Sequence, residues 1–169
     1  MKRIICLCIV VSVLLSLGAC RKQNSSYLSP KTFYYCKETI SYNSTSSVIS
    51  SEIRDCESYN EEITDILNLY LSGPVSKEYI SPFPRGVELI ALEINESGAH
   101  VLLSAEFSDL SGIGLTVASA CLSMTLFELT ECETVTIQAE NSQLDGLDSI
   151  TITQADLLLI DEYTPSDES

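Results

Sequence analysis

The chain reads as an α+β domain, on three observations. Strand-like alternation recurs in separate short runs, two apolar-periodic helical stretches interrupt those runs, and Gly-Pro and Pro-x-Pro punctuation keeps the pieces apart. The segment from Leu67 to Phe107 is the centre of the expected core. There a helix ends at Gly73-Pro74, because proline has no amide donor and disfavours helical geometry in the residue before it. Pro82, Pro84 and Gly86 keep the approach irregular up to Val87, and a hairpin follows. Ile90, Leu92 and Ile94 share one face of its first strand, and Asn95-Glu96-Ser97-Gly98 is turn chemistry. On the returning strand Ala99, Val101, Leu103, Ala105 and Phe107 face the core, and His100, Leu102, Ser104 and Glu106 face away.

The other elements follow in chain order. Thr32 to Glu38, with Phe33, Tyr34 and Tyr35, suits a first strand, and Asn43 to Ser51 a loop entering a second extended piece. Ser58 and Glu61 form a capping box in which hydroxyl and carboxylate satisfy free backbone amides. Ile63, Ile66, Leu67 and Tyr70 then bury one helical face, and Glu61, Glu62 and Asp65 complement the positive end of the dipole. After a polar bend from Ser108 to Gly114, Leu115 to Thr130 predicts a second helix lying flat on the sheet. Leu115, Ala118, Leu122, Leu126 and Leu129 make its stripe, and Val117, Ala120, Cys121, Met124 and Phe127 widen it. Ser119, Ser123 and Glu128 mark the opposite face. Val135, Ile137 and Ala139 alternate in the next strand and Ile150 and Ile152 in another, with Leu157 to Ile160 an edge or terminal turn.

At 169 residues and 45% hydrophobic content the chain holds one ordinary core, hardly two. Residues 1–19 are expected to be a signal peptide, 20–30 a polar tether, 31–163 a single domain and 164–169 an acidic tail. Lys2 and Arg3 precede the apolar run Ile4 to Leu17, which is short for a spanning helix of about 20 residues. Leu17-Gly18-Ala19-Cys20 resembles the lipobox of bacterial lipoproteins, which implies a diacylglycerol on the Cys20 sulfur and a domain held on the extracytoplasmic face of the membrane. Each buried methylene of such an anchor contributes roughly 0.8 kcal/mol. Removing residues 1–19 leaves 7 basic against 24 acidic side chains, a net charge of −17 that repels phosphate backbones. Nucleic acid is not an expected partner.

Chemistry is sparse. Cys36, Cys56, Cys121 and Cys132 allow three pairings that the sequence does not distinguish, so reduced cysteine and one disulfide both stay open. No C-x-x-C occurs and the single His100 is clustered with no cysteine, so no zinc site is expected. No G-x-S-x-G surrounds a serine and no nucleophile has a base beside it, so no catalytic residue and no cofactor is expected. Glu62 and Asp65 could pair as catalytic carboxylates, yet first-turn acids are what any helix prefers. Asn141, Asp145 and Asp148 lack the alternating ligands of a calcium loop and read as an acidic turn. Asn43 and Asn95 fit a glycosylation pattern that a bacterial lipoprotein does not use.

Taken in order, LNLYLSGP, SPFPRGVELIALEI, VLLSAEFSDL, MTLFEL and VTIQAE resemble the GerMN domain. Leu71-Ser72-Gly73-Pro74, Pro84-Arg85-Gly86, Leu103-Ser104-Ala105-Glu106-Phe107 and Thr125-Leu126 carry the likeness, which runs from about Thr32 to Glu140. The resemblance implies a small mixed β-sheet with two helices packed on one face, similar to ring-building motifs. It also implies an envelope lipoprotein tied to sporulation, germination or wall processes, with no catalytic residues to carry over. An envelope protein or a second copy is then the expected partner, with the membrane held through Cys20. The alternative is a ligand-binding or weakly hydrolytic lipoprotein acting on wall fragments or small molecules. A single domain copy and the added stretch from Asn141 to Asp161 depart from the tandem family pattern.

Overall fold

The structure is a computed structural model and describes residues 30–38, 48–56 and 62–158. The elements are β1 (Lys31–Lys37), β2 (Ile49–Arg54), α1 (Ile63–Leu71), β3 (Tyr79–Ile80), β4 (Leu89–Asn95), β5 (Gly98–Leu103), a 3-10 turn (Ala105–Asp109), α2 (Gly112–Thr130), β6 (Thr134–Ala139), β7 (Ile150–Thr153) and α3 (Gln154–Leu158). The class is α+β as the sequence predicts, but the strands divide between two sheets. The first is antiparallel with order β2-β1-β3, and the second has order β4-β5-β6-β7. In the second, β5 and β6 run parallel while both outer pairs are antiparallel, so this sheet is the mixed one. The expected two helices on one sheet are found here: α1 packs against β4, and α2 against β6 and β7. The first sheet then closes over α2 through β1.

That second layer changes how α2 is buried. Ser119 and Ser123, expected on a solvent face, are buried with hydroxyls lacking partners, because β1 covers the side of the helix turned from β6. Glu128 is exposed as predicted. The helix is long and apolar enough to span a membrane by composition, yet half of its apolar window is buried inside the domain, as suits a helix between two layers. It also begins earlier than Leu115. Gly112 opens it, and its amide donates to the Asp145 carboxylate at 3.2 Å, an acid at the positive end of the dipole.

The hairpin forms, but its strands differ in burial. Ala99, Val101 and Leu103 are buried and pair in register with Val135, Ile137 and Ala139. The strand ends at Leu103. Ala105 therefore lies exposed at the start of the 3-10 turn, and Phe107 reaches the core from inside that turn. On β4 a bulge between Leu89 and Ala91 takes Ile90 out of the shared face, and Ile94 shares the core side at an open edge. Both are 44% exposed. Gly98 holds φ +129°, and a Cβ there would meet the Thr134 carbonyl oxygen at 2.2 Å, so the turn accepts only glycine. The stretch after Glu140 completes the second sheet: β7 pairs along β6, with Ile150 opposite Ile137. Leu157 lies in the short α3 rather than on an edge strand. The capping-box pair Ser58 and Glu61 lies outside the described residues, and α1 begins after Glu62 without a side-chain cap.

Candidate functional site

Along β2 alternate residues face opposite ways, and here the polar ones face inward. Glu52 and Arg54 are buried while Ile53 is 69% exposed. Arg54 Nε donates to Glu52 Oε2 at 2.6 Å. Its Nη2 donates to the Tyr35 hydroxyl and to the Gly73 carbonyl, both at 2.7 Å. The guanidinium lies 4.9 Å from the Phe33 ring centre and 5.3 Å from that of Tyr35, a desolvated cation over two aromatic faces. Glu52 Oε1 accepts the Ser76 amide at 2.7 Å and the Val75 amide at 3.1 Å. Burial pushes the Glu52 carboxyl up, but the Ser76 amide, Arg54 and the Val75 amide outweigh it and hold it below the usual range. This pair is an internal clamp that fastens β2 to the Gly73–Ser76 turn. Its opposite charges hold that turn through the Gly73 carbonyl and the Val75 and Ser76 amides. Arg54 Nη1 is buried without a partner.

A second set of bonds repairs β1. Because β3 reaches only Cys36 and Lys37, the ladder position at Tyr34 has no strand partner on that side. Side chains fill it: the Tyr34 amide donates to Thr125 Oγ1 at 3.0 Å, and the Tyr70 hydroxyl donates to the Tyr34 carbonyl at 2.9 Å. Burial holds the Tyr70 hydroxyl well above its ordinary pKa, so it stays a donor.

Ser72, the residue before the clamped turn, lines a cleft of about 610 Å³. Asn68, Leu71 and Ser72 at the end of α1 face the approach from Ser81 to Leu89 across it. Phe83 is buried at this site, edge-on to Tyr70 at 5.3 Å between ring centres. Ser104 ties the approach to β5: its hydroxyl accepts the Glu88 amide at 3.0 Å and its own amide donates to the Glu88 carbonyl at 2.9 Å. Arg85 and Glu88, both exposed, are the charged residues of the lining. The cleft opens at the first residues of β4, the edge strand with exposed Ile90 and Ile94.

The residues singled out from the sequence lie elsewhere. Cys20 and Asn43 are outside the described residues. Glu62 is the N-cap of α1 and Asp65 sits in its first turn, a helix-terminal arrangement away from the cleft lining. His100 is exposed with a ring nitrogen 3.2 Å from Ser97 Oγ. Asn95 Oδ1 accepts the Ser97 amide at 2.8 Å and shapes the hairpin turn. Asn141 and Asp145 take positive φ in tight turns, and Asp148 accepts from Gln143 Nε2 at 2.9 Å. Among the described residues no three His, Cys, Asp or Glu side chains gather as a metal site would need. Cys36, Cys56, Cys121 and Cys132 are free thiols. Glu52 and Arg54 are not among the residues that composition or motif singles out. Their signal was a strand, ISSEIR, in which an acid and a base two apart share a face.

The domain is α+β, with α1 and α2 on the mixed sheet and its Gly-Pro turn held by the buried Glu52–Arg54 pair. Residues 32–145 match the Germane family, described as sporulation and spore germination, and the chain belongs to that family. No curated protein sequence matches the chain. The tandem GerMN domains of the sporulation protein GerM from Bacillus subtilis share the fold at a TM-score of 0.52 and 20% identity, with 72% of this chain covered. This chain spans 43% of that structure's length. A crystal structure described as a lipoprotein from Clostridium perfringens aligns at a TM-score of 0.45 and 17% identity, covering 77% of this chain and 91% of that one.

Proposed function

We propose that the protein is a non-enzymatic envelope lipoprotein, anchored through Cys20, whose domain binds another envelope protein or a second copy of itself in sporulation, germination or cell-wall processes. The Germane match over residues 32–145, placed just after a stretch ending in Leu17-Gly18-Ala19-Cys20, carries this reading. Two structural facts support it. The buried Glu52–Arg54 pair serves the fold, and the β4 edge offers unpaired backbone groups beside exposed Ile90 and Ile94. A cross-linked pull-down of the tagged protein from intact cells tests it, with Cys20→Ala as the unanchored control. The expected outcome is a reproducible envelope partner or a ladder of self-multimers, and a membrane fraction that loses the Cys20→Ala protein. Recovery of monomer alone, while a known complex is captured, overturns the reading.

The cleft beside Arg85 favours a second reading, a lipoprotein that binds wall fragments or other small molecules. A ligand raises the melting temperature of the state it binds. A thermal-shift panel of wall fragments and divalent metals therefore tests this reading, with Arg85→Ala abolishing any genuine response. A flat panel removes it.

A further inference from the structure

Of the six single disulfides that the four body cysteines could form, the geometry points to one: we propose that Cys36 and Cys121 are a thiol pair that closes to a disulfide joining β1 to α2. The contact between Tyr34 and Thr125 sets the register of the helix on the strand. Cys121 lies four residues before Thr125, one helical turn of about 5.4–6 Å. Cys36 lies two residues beyond Tyr34 on the same face of β1, about 6.6 Å along the strand. Strand and helix thus advance by matching lengths from a shared contact. That register, with α2 packed along β1, places the two thiols beside each other.

Their surroundings divide the work. Cys36 is half-buried and Cys121 fully buried, so an oxidant reaches Cys36 first. The Cys121 thiol beside it outweighs burial and lowers the Cys36 thiol to about 7, while the same neighbour and burial push Cys121 up. Cys36 is therefore the attacking thiolate and Cys121 the resolving thiol.

The step balances with a disulfide oxidant, either a protein disulfide or a low-molecular one. Cys36 thiolate attacks one oxidant sulfur, forms a mixed disulfide and expels a thiolate. The Cys121 thiol gives up its proton to that leaving group and attacks Cys36 Sγ, releasing the second oxidant thiolate, which takes a proton from water. Two protein thiols become one disulfide, and the oxidant disulfide becomes two thiols. The product staples the first sheet to the helix shared by both, enclosing α1, the clamped turn and the cleft within one covalent loop. The supply of oxidant in the cell rests on the extracytoplasmic reading above, whereas the pairing does not.

The test treats the full chain with oxidised glutathione, alkylates the remaining thiols in denaturant and maps non-reduced peptides by mass spectrometry. The expected product links Cys36 to Cys121, leaves Cys56 and Cys132 alkylated, and forms faster as pH rises through about 7. Cys121→Ser should trap glutathione on Cys36, and Cys36→Ser should leave Cys121 as a free thiol. A different linked pair, or glutathione retained on Cys36 of the unaltered chain, overturns the proposal. Trapping thiols directly from cells separates the two readings: closure in vitro with reduced thiols in cells counts against the extracytoplasmic location and leaves the pair standing.

Discussion

The two sheets of this domain are held by different physics. The β4-β5-β6-β7 sheet buries an aliphatic face, with Ala99, Val101 and Leu103 opposite Val135, Ile137 and Ala139 and their backbone groups paired by neighbouring strands. The β2-β1-β3 sheet buries Phe33 and Tyr35, but also a glutamate and an arginine, and completes one ladder position with a threonine and a tyrosine side chain. The first kind of core depends on volume and tolerates exchange among apolar side chains. The second depends on partners, each of which leaves a buried polar group stranded when it is removed. The cleft lies between the two: the end of α1 on one side leads into the turn that the polar sheet holds, and the other side runs into β4 of the aliphatic one.

That contrast predicts a ranking of substitutions, each read by urea unfolding of the otherwise unaltered protein. Arg54→Ala strands a buried carboxylate and should cost about 3–5 kcal/mol, whereas Glu52→Leu with Arg54→Met should recover much of it. A double variant as unstable as the single one would mean the clamp does more than compensate its own burial. Tyr70→Phe keeps the ring but removes the donor to Tyr34, with an expected loss of about 1–3 kcal/mol. Ile137→Val in the aliphatic sheet should cost only about 0.5–1.5 kcal/mol, so a larger loss there than at Tyr70 would erase the distinction. Ser123→Ala, which deletes a buried hydroxyl with no partner, should be neutral or slightly stabilising, within about 0.5 kcal/mol.

Acid separates the sheets as well. The Glu52 carboxyl is held below its unfolded value of about 4.3, so its contribution is complete above that value and is lost as pH falls through the folded one. Stability should therefore drop between about pH 5 and 3 in the unaltered chain, and less steeply in the Glu52→Leu/Arg54→Met double variant. Equal slopes would place the acid sensitivity elsewhere.

Legibility followed the same division. β5, β6 and β7 were readable because their apolar residues alternate, and α2 because its stripe is broad. The Gly73-Pro74 stop and the glycine turn at Gly98 were readable because backbone geometry admits few residues there. β2 resisted, since in ISSEIR the inward residues are Glu52 and Arg54 and the outward one is Ile53, the reverse of what alternation suggests. Ile90 resisted for another reason: a bulge shifts register without any mark in composition.

By itself the sequence determined the class of fold, the order and spans of most elements, and the family, because these rest on local propensity and on periodicity that any window of the chain displays. Tertiary structure alone decided that the strands form two sheets and that Ser119 and Ser123 are enclosed. It also decided that a charged pair holds the turn. Each of these depends on residues distant in the chain lying against one another, and a polar side chain has no inward or outward preference until such a partner is present.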